Sequence, residues 1–428
     1  MGKFDGKRLL VLGTAVGSVD IVKYAKAEGA YVLVTDYLST EKSAAKQYAD
    51  ETAMISTLDI EALCELAKEY RIDGVISGVS EVNIESARKV SEKLGLHSYY
   101  TSEQWNTFMD KDLFRKLCEK YNVGVPTTYF AGKLEQFKTL ESNGLQITYP
   151  VIVKPVDNRA NVGISVCNDR ESLITAVEFA AQNSDLGKII IEQFVKGIEV
   201  SPAYVVQNGC CKLVCMGAKY AYENEKGLKA ISHAHIYPAP CLDEYISDMD
   251  SKVKEMILSQ GIDNCTIFFQ GIYADHRFYI FEAGLRMEGT ATYRITKQIN
   301  NCSFMEFMTD NALGIESDYD INCEDVTFGG RKCILLSQIA TEGIIGKIEG
   351  FEDALQNPIV VAAEQRHLVG DYIAEDGTLR QIMFRYVLQS DDMEEMLNTI
   401  RYVQNTVKVY DQNGKYMLIE SFDANILR

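Results

Sequence analysis

Residues 149–155 of the chain read Tyr-Pro-Val-Ile-Val-Lys-Pro, an apolar run that ends in a single lysine. The β-branched residues predict a buried strand, and Lys154 lies at its carboxyl end. Burying a lysine charge costs free energy unless that charge meets an anion. The stretch therefore predicts a strand whose end forms part of an anion-binding site.

Downstream of this strand, apolar runs again carry polar residues at their ends. A small polar turn, Asp157–Ser165, leads to another strand, and the buried run Lys188–Phe194 carries Glu192 near its end. Glu199 follows seven residues after Glu192. A charge at a strand end is more often solvated than ligand-binding, so none of these residues is decisive alone.

Two further apolar runs, Thr266–Gln270 and Phe278–Ala283, predict a pair of strands joined by a short turn. Gln270 and Glu282 close these runs, and Arg286 comes four residues after Glu282. The repeated placement of polar groups at strand ends favours one shared site over several unrelated solvated edges.

From Lys111 to Arg286 the chain resembles the ATP-grasp ligases, and its layout is similar to the three-part organisation of that superfamily. The resemblance implies an α/β protein with a Rossmann-like N-terminal domain (1–105), a two-lobed α+β ATP-grasp domain (106–318) and a β-rich C-terminal cap (319–428). The motifs that carry it, in order, are Asp110-Lys111, Val153-Lys154-Pro155, Asp157–Ser165, Glu192–Val195 with Glu199, and Glu282–Arg286.

The resemblance implies a role for each matching residue, with ATP and Mg²⁺ (or Mn²⁺) as cofactors. Two lysines neutralise the phosphates, a flap covers them with backbone N–H groups, and a hinge and a glutamate hold adenine and ribose. Two oxygen ligands hold the metal, and Arg286 and Lys154 serve catalysis. The residues are Lys111 and Lys154; Asn161, Gly163 and Ser165 in the flap; Glu192, Gln193, Phe194 and Val195 in the hinge; Glu199 at the ribose; and Gln270 and Glu282 at the metal.

The chain departs from the family pattern at the third metal position, where Gly284 replaces the usual Asn. Glu288 is close enough in sequence to replace that ligand, but a metal-binding role for it is the less favoured reading. The flap also carries Arg159 and Asn161 where family members often have Gly or Ser, so a plain hairpin turn stays open there.

Residues 1–105 alternate strand and helix patterns, which predicts parallel βαβ units. The turn Gly13–Ser18 after the first strand is similar to a dinucleotide fingerprint, but Ala15 stands where its second Gly belongs, and Asp36 lies near the place of a ribose-binding acid. The missing Gly disfavours a nicotinamide oxidoreductase. The turn is a tight βα connection or meets another ligand through its N–H groups.

Two histidines, His233 and His235, lie two residues apart on a predicted strand, and Lys219 precedes them. They can share a face and bind a metal, but no third ligand has supporting spacing, so a strand lining the substrate cleft is favoured. Lys219 lines the same cleft or belongs to a solvated face. The cap residues, 319–428, show short strands and a helix at Asp391–Thr406 without catalytic residues.

Composition restricts the function further. With 43 Lys and Arg against 61 Asp and Glu, the net charge of −18 disfavours nucleic acid and anionic membranes as partners. No apolar run approaches bilayer length, and the 11 scattered Cys predict reduced, mostly buried thiols of a cytoplasmic protein. A homodimer is expected.

The resemblance predicts an ATP-dependent ligase that activates a small-molecule carboxylate as an acyl phosphate for attack by an amine, giving an amide, ADP and phosphate. Two alternatives stay open: an ATP-binding regulatory protein that has lost turnover, which Gly284 favours, and a grasp-fold kinase. The acid and the amine cannot be identified from the sequence, because substrate pockets lie on variable loops.

Overall fold

The computed structural model describes residues 2–14, 16–156, 163–223, 229–419 and 421–427. The predicted site residue Asn161 and the flap residue Arg159 lie outside these ranges. None of the helices in the described ranges combines the length and apolar composition that a bilayer crossing requires.

The N-terminal residues form a parallel sheet with the strand order β3-β2-β1-β4. Its apolar strands are buried almost throughout because helices cover them, as in other parallel sheets. The strands are β1 (Arg8–Leu12), β2 (Tyr31–Thr35), β3 (Glu51–Ala53) and β4 (Gly74–Ser77), and the helices are α1 (Ser18–Ala27), α2 (Ile60–Glu69) and α3 (Glu81–Leu94).

A helical pair leads into a second, antiparallel sheet with the order β5-β8-β6-β7. Asp110 begins the second helix by accepting hydrogen bonds from the N–H groups of Asp112 and Leu113, which fixes Lys111 in its first turn. The elements are α4 (Ser102–Met109), α5 (Lys111–Lys120), β5 (Thr128–Lys133), α6 (Leu134–Ser142), β6 (Val151–Pro155), β7 (Ser165–Cys167), α7 (Arg170–Gln182) and β8 (Lys188–Gln193).

The rest of the chain builds a long sheet and the elements that pack on it. The elements are β9 (Ile198–Gln207), β10 (Cys210–Glu223), β11 (Lys229–Tyr237), α8 (Leu242–Asp248), α9 (Asp250–Leu258), β12 (Cys265–Ala274), β13 (Arg277–Gly284), α10 (Thr292–Asn300), α11 (Phe304–Ala312), β14 (Lys332–Ile339), β15 (Gly343–Glu349), α12 (Phe351–Leu355), β16 (Val360–Gln365), β17 (Tyr372–Ile373), β18 (Ile382–Ser390), α13 (Met393–Thr406) and β19 (Lys408–Asp411).

This long sheet has the strand order β13-β12-β9-β10-β11-β14-β18-β16 and is antiparallel. Three of its strands come from beyond residue 319, so the C-terminal residues extend the same sheet by hydrogen bonding. A small sheet, β17-β15-β19, and helix α13 cover its far end. The C-terminal segment is β-rich, as the sequence predicts.

Polar contacts join the N-terminal sheet layer to the helices that follow β13. Asp310 on α11 accepts hydrogen bonds from Lys3 Nζ and Tyr24 Oη, each at 2.8 Å. Asp20 on α1 accepts from Arg294 Nε at 2.8 Å and from the Tyr293 hydroxyl. These contacts join the N-terminal layer to α10 and α11, the two helices that follow β13.

The cysteines differ from the expectation in one place. Cys302 and Cys323 are paired as a disulfide with a Cα–Cα separation of 6.4 Å, whereas nine others are free. The prediction of uniformly reduced thiols is therefore wrong for this pair, because the fold brings together two cysteines that lie 21 residues apart.

Candidate active site

An ion pair joins two predicted site residues on neighbouring strands. Lys154 Nζ on β6 lies 2.6 Å from Glu192 Oε2 on β8, and both side chains are largely buried. Thr128 donates a hydrogen bond to Glu192 Oε1 at 3.4 Å. The buried lysine therefore meets an anion, as its strand context requires, and the carboxylate positions the ammonium group.

The predicted hinge offers fewer free backbone groups than the sequence implies. The N–H of Gln193 donates to the Thr127 carbonyl at 2.8 Å, and that of Phe194 donates to the Pro150 carbonyl at 3.0 Å. The Val195 N–H makes no backbone hydrogen bond within the described ranges. Val195 is thus the hinge residue whose N–H can bind a ring nitrogen of a base.

The described end of the flap leads back to the Lys154 strand. Gly163 has a φ of +81°, and a Cβ there would lie 2.7 Å from Pro155 Cγ, so only glycine fits this turn. Ser165 then pairs with Val153 in the antiparallel ladder between β7 and β6. Lys111 Nζ, at the start of α5, donates to the Val156 carbonyl at 3.3 Å and so lies next to the same strand end.

Glu199 lies on the neighbouring long sheet in an ion pair with Lys219. The two side chains are 2.7 Å apart, and the residues are direct cross-strand partners on β9 and β10. Lys219 is in turn opposite His235 on β11. Glu199, Lys219 and His235 are therefore neighbours across three strands. This register places Lys219, whose position the sequence pattern left undecided.

The two predicted metal ligands are also cross-strand partners, because Gln270 on β12 pairs with Glu282 on β13. Although Glu282 is exposed on its strand, desolvation by the surrounding protein raises its pKa, and the charge of Glu81 raises that pKa further. Lys111, Arg286 and Lys154 act in the opposite direction. The electrostatic neighbourhood of Glu282 thus contains cations from three separate motifs.

Phe268 explains why residue 284 is glycine. A Cβ on Gly284 would lie 2.2 Å from Cε1 of the Phe268 ring, since these residues face each other across β12 and β13. The guanidinium of Arg286 lies over the same ring, 4.7 Å from its centroid. The space of the missing Asn side chain is therefore filled by an aromatic ring that supports Arg286.

Arg286 is held close to the carboxylates. Its Nη1 donates to the Met287 carbonyl at 3.0 Å, while its buried Nε has no partner. Burial lowers the pKa of Arg286, and Glu81, Glu282 and Glu288 oppose this effect.

Glu288 is buried at 8% exposure, and its Oε2 has no hydrogen-bond partner. Burial raises the pKa of Glu288, while Ser201 and Thr290 lower it through hydrogen bonds. Within the described ranges, no group of three His, Cys, Asp or Glu side chains is arranged to hold a metal ion. Replacement of the missing Asn by Glu288 stays a prediction.

Two participants were missed by sequence reasoning: Glu81 comes from the N-terminal layer, and Phe268 was assigned only to a strand. Lys219 was named but left undecided between the cleft and a solvated face, because only strand register could place it. A charged residue opening a helix at a strand's carboxyl end was the available signal for Glu81.

The two histidines have different surroundings, and Asp36 is already paired. His235 stacks on Tyr237, but His233 packs against Phe422 next to an irregularity in the β10–β11 register, so the two rings have different neighbours. Asp36 is buried and bonded to Lys46 and Ser43. Asp36 is therefore unavailable to a ribose.

The chain is similar to one family model and to several curated proteins. A family model described as the D-ala D-ala ligase C-terminus matches residues 122–285. A formate-dependent phosphoribosylglycinamide formyltransferase from Bacteroides thetaiotaomicron is 25% identical over 275 residues, covering 62% of this chain and 69% of the relative. Other curated relatives of that name match over about half of their length.

Solved structures share the fold of almost the whole chain. An L-amino acid ligase from Bacillus licheniformis superposes with a TM-score of 0.76 and 19% identity, over 96% of this chain and 100% of the other. A 2-oxoglutarate carboxylase biotin carboxylase domain from Hydrogenobacter thermophilus, solved with MgADP and bicarbonate, has a TM-score of 0.74 and 16% identity, over 96% and 91%.

Proposed function

We propose that this chain, which belongs to the ATP-grasp superfamily, is an ATP-dependent ligase that joins a small carboxylic acid to an amine. The observation that carries the proposal is the gathering of cations from three motifs. Lys111 Nζ donates to the Val156 carbonyl at the end of the Lys154 strand, and Lys111, Lys154 and Arg286 all lie near enough to Glu282 to lower its pKa. Cations from three motifs around one carboxylate can bind a triphosphate with its metal ion, because they neutralise the charge of the phosphates and supply no nucleophile.

In the proposed reaction, a substrate carboxylate oxygen attacks the γ-phosphorus of ATP, and the bond between that phosphorus and the β-bridging oxygen breaks to release ADP. The amine nitrogen then attacks the acyl carbon, loses a proton, and expels inorganic phosphate. Lys111 and Lys154 hold the phosphates, and Glu199 accepts the ribose hydroxyls. Arg286 stabilises the charge on the transferring phosphoryl group through its guanidinium.

The donor set at the metal position fits one magnesium ion. The Glu282 carboxylate and the Gln270 amide oxygen are hard oxygen ligands on facing strand positions, and Mg²⁺ commonly takes one or two protein ligands with phosphate oxygens and water. When bound, the ion supplies charge neutralisation and orientation of the phosphates. Gly284 supplies no ligand, so a second ion has fewer protein contacts.

A direct test combines nucleotide binding with turnover. ATP with Mg²⁺ is expected to raise the melting temperature, since it binds the native state, and a screen of acids and amines should release ADP and phosphate in equal amounts. Glu282→Gln keeps the side-chain volume and is expected to lower turnover by several orders of magnitude. Tight ATP binding without turnover across the screen would favour a regulatory protein, and ADP release that needs no amine would favour a kinase.

We also propose a homodimer and a cytoplasmic location. The edge strand β16 pairs only with β18 within the described ranges, and its residues 361–364 are exposed. Such an edge leaves N–H and C=O groups able to pair with another strand. Sedimentation of the wild type beside Ala362→Pro tests this: the wild type should sediment as a dimer and the variant as a monomer, and a monomeric wild type would contradict the dimer.

A further inference from the structure

The disulfide joins two segments of chain that follow β13. Cys302 comes two residues after the end of α10, and Cys323 ends a short 3₁₀ turn, Ile321–Cys323. Their Cα atoms are 6.4 Å apart, within the range that a disulfide spans. Cys302 is 3% exposed, whereas Cys323 is exposed. A reagent in solution therefore reaches the bond from the Cys323 side.

The remaining cysteines make this bond unusual. Nine cysteines are free, and among these described thiols Cys210 is the exposed one. Disulfides are rare in reducing compartments, and those that occur there are usually transient or redox-sensing. In the cytoplasm, where we place the chain, a disulfide with one exposed cysteine is open to attack by a cellular dithiol.

The disulfide lies at the end of α10, a helix that depends on contacts outside itself. α10 has nine residues, and Ala291 before it makes no side-chain cap. A helix this short is marginal on its own. At its end Asn300 Nδ2 donates to Glu324 Oε2 at 2.9 Å, and Glu324 directly follows Cys323. The hydrogen bond and the disulfide thus hold the same end of α10 to the same turn.

The other end of α10 adjoins the segment that carries Arg286 and Glu288. The Ala291 N–H donates to the Glu288 carbonyl at 3.1 Å, and the Arg294 N–H donates to the Ala291 carbonyl at 2.9 Å. Ala291 has a φ of +57°, a conformation that costs free energy for a residue other than glycine and persists where its surroundings enforce it. Loosening α10 at its far end lets Ala291 relax, and the Arg286 segment then shifts with it.

We propose that Cys302 and Cys323 form a redox-sensitive site, which a dithiol opens and whose closed form holds the Arg286 segment in its working position. One thiolate of the dithiol attacks Cys323 Sγ, the S–S bond breaks, and the Cys302 thiolate leaves. The second thiolate then closes the disulfide of the reductant and releases the Cys323 thiolate. Two electrons pass to the protein, and the two protons that the dithiol loses end on the two cysteines.

Mass spectrometry of the labelled native protein tests the reactivity of the pair. The protein is treated with diamide, which oxidises neighbouring thiols to a disulfide, and then with N-ethylmaleimide, with or without prior reduction by dithiothreitol. Cys323 is expected to carry the label only after dithiothreitol, whereas Cys210 should carry it in both samples. Label on Cys323 without dithiothreitol, or none after it in the folded protein, would overturn the proposal.

Hydrogen exchange measures what the bond holds in place. The amides of residues 292–301 are expected to exchange at least about tenfold faster after reduction, since the loop that the bond closes is released. Cys323→Ser should show the faster exchange with and without dithiothreitol. Cys210→Ser removes an exposed free thiol and is the matched control, so its exchange should depend on dithiothreitol as that of wild type does.

Turnover tests the link to the Arg286 segment, and this part rests on the proposed ligase function. Reduction should lower kcat for ADP release at least about threefold, because misplaced groups lose catalytic power. Equal exchange of α10 in both redox states would show that the bond does not hold the helix. Faster exchange with unchanged kcat would remove the link to Arg286. Absence of ADP release in both states would reject the ligase function, while labelling and exchange still decide the redox site.

Discussion

Gly284→Ala is expected to destabilise the protein by about 1–3 kcal/mol, the usual cost of overpacking a core. The added Cβ would lie 2.2 Å from Phe268 Cε1, whereas carbon atoms in contact prefer about 3.5–4.0 Å. Phe268 is 3% exposed and cannot move without displacing neighbours. Because the Arg286 guanidinium lies 4.7 Å from the ring centroid, kcat should fall as well.

Chemical denaturation measures the change, and Gly289→Ala is its control. Gly289 lies in the same segment, and a Cβ there would meet nothing within 4 Å. This control is expected to alter stability by less than about 0.5 kcal/mol, as open surface substitutions do.

A double-mutant cycle with Phe268→Ala tests the cause. Phe268→Ala alone should cost about 3–5 kcal/mol, since it opens a cavity. In the Phe268→Ala variant, adding Gly284→Ala should not lower the free energy of unfolding further, which gives a coupling energy of about 1–3 kcal/mol. If Gly284→Ala is as stable as the Gly289 control, or if its cost persists without the Phe268 ring, the steric explanation for the missing Asn is wrong.

Three other changes have defined outcomes. Lys154→Met should weaken ATP binding about ten- to hundredfold in calorimetry, because a charge-assisted contact of roughly 1.5–3 kcal/mol is lost. The control Lys196→Met, at an exposed residue, should leave ATP binding unchanged. Arg286→Lys should lower kcat for ADP release about 10²-fold or more while ATP affinity changes only a few-fold, since lysine lacks the planar guanidinium that binds an anion through two N–H groups. An unchanged kcat would contradict its role. Burial raises the pKa of Glu324 from the usual 4.5 to about 7, so the native state binds the extra proton and its stability declines as pH rises from 4.5 to 7. Glu324→Gln removes this penalty of about 3 kcal/mol in the free energy of unfolding. In chemical denaturation the variant should therefore be more stable than wild type at pH 8 and equal to it near pH 4. Equal stability at pH 8 would refute the pKa shift.

The fold was predictable from the sequence because its strands are short apolar runs with clear ends. The predicted strand pair Thr266–Gln270 and Phe278–Ala283 lies within β12 and β13, and the ATP-grasp fold is confirmed by the structural neighbours. The extension of the long sheet beyond residue 319 could not be read from the sequence. An antiparallel strand has the same local pattern whichever sheet it joins, and the pairing of β14 with β11 spans about a hundred residues.

The candidate site was predictable to the extent that its residues belong to contiguous motifs. Lys154 and Glu282 stand out because each interrupts or ends an apolar run. Their partners are set by cross-strand and interlayer contacts, so the sequence did not indicate that Glu192 pairs with Lys154 or that Glu81 lies near Arg286. The sequence showed that the Asn was missing but not that Phe268 fills its place.

The exchange at residue 284 changes how charge is balanced at the proposed phosphoryl-transfer site. In the proposed site an Asn at that position would supply an oxygen to the metal, whereas the Phe268 ring supplies none and instead lies beneath the Arg286 guanidinium. Glu81, Glu282 and Glu288 all favour the charged form of this guanidinium, so Arg286 stays cationic despite its burial. With one protein ligand fewer for a second ion, we expect more of the charge on the transferring phosphoryl group to fall to Arg286.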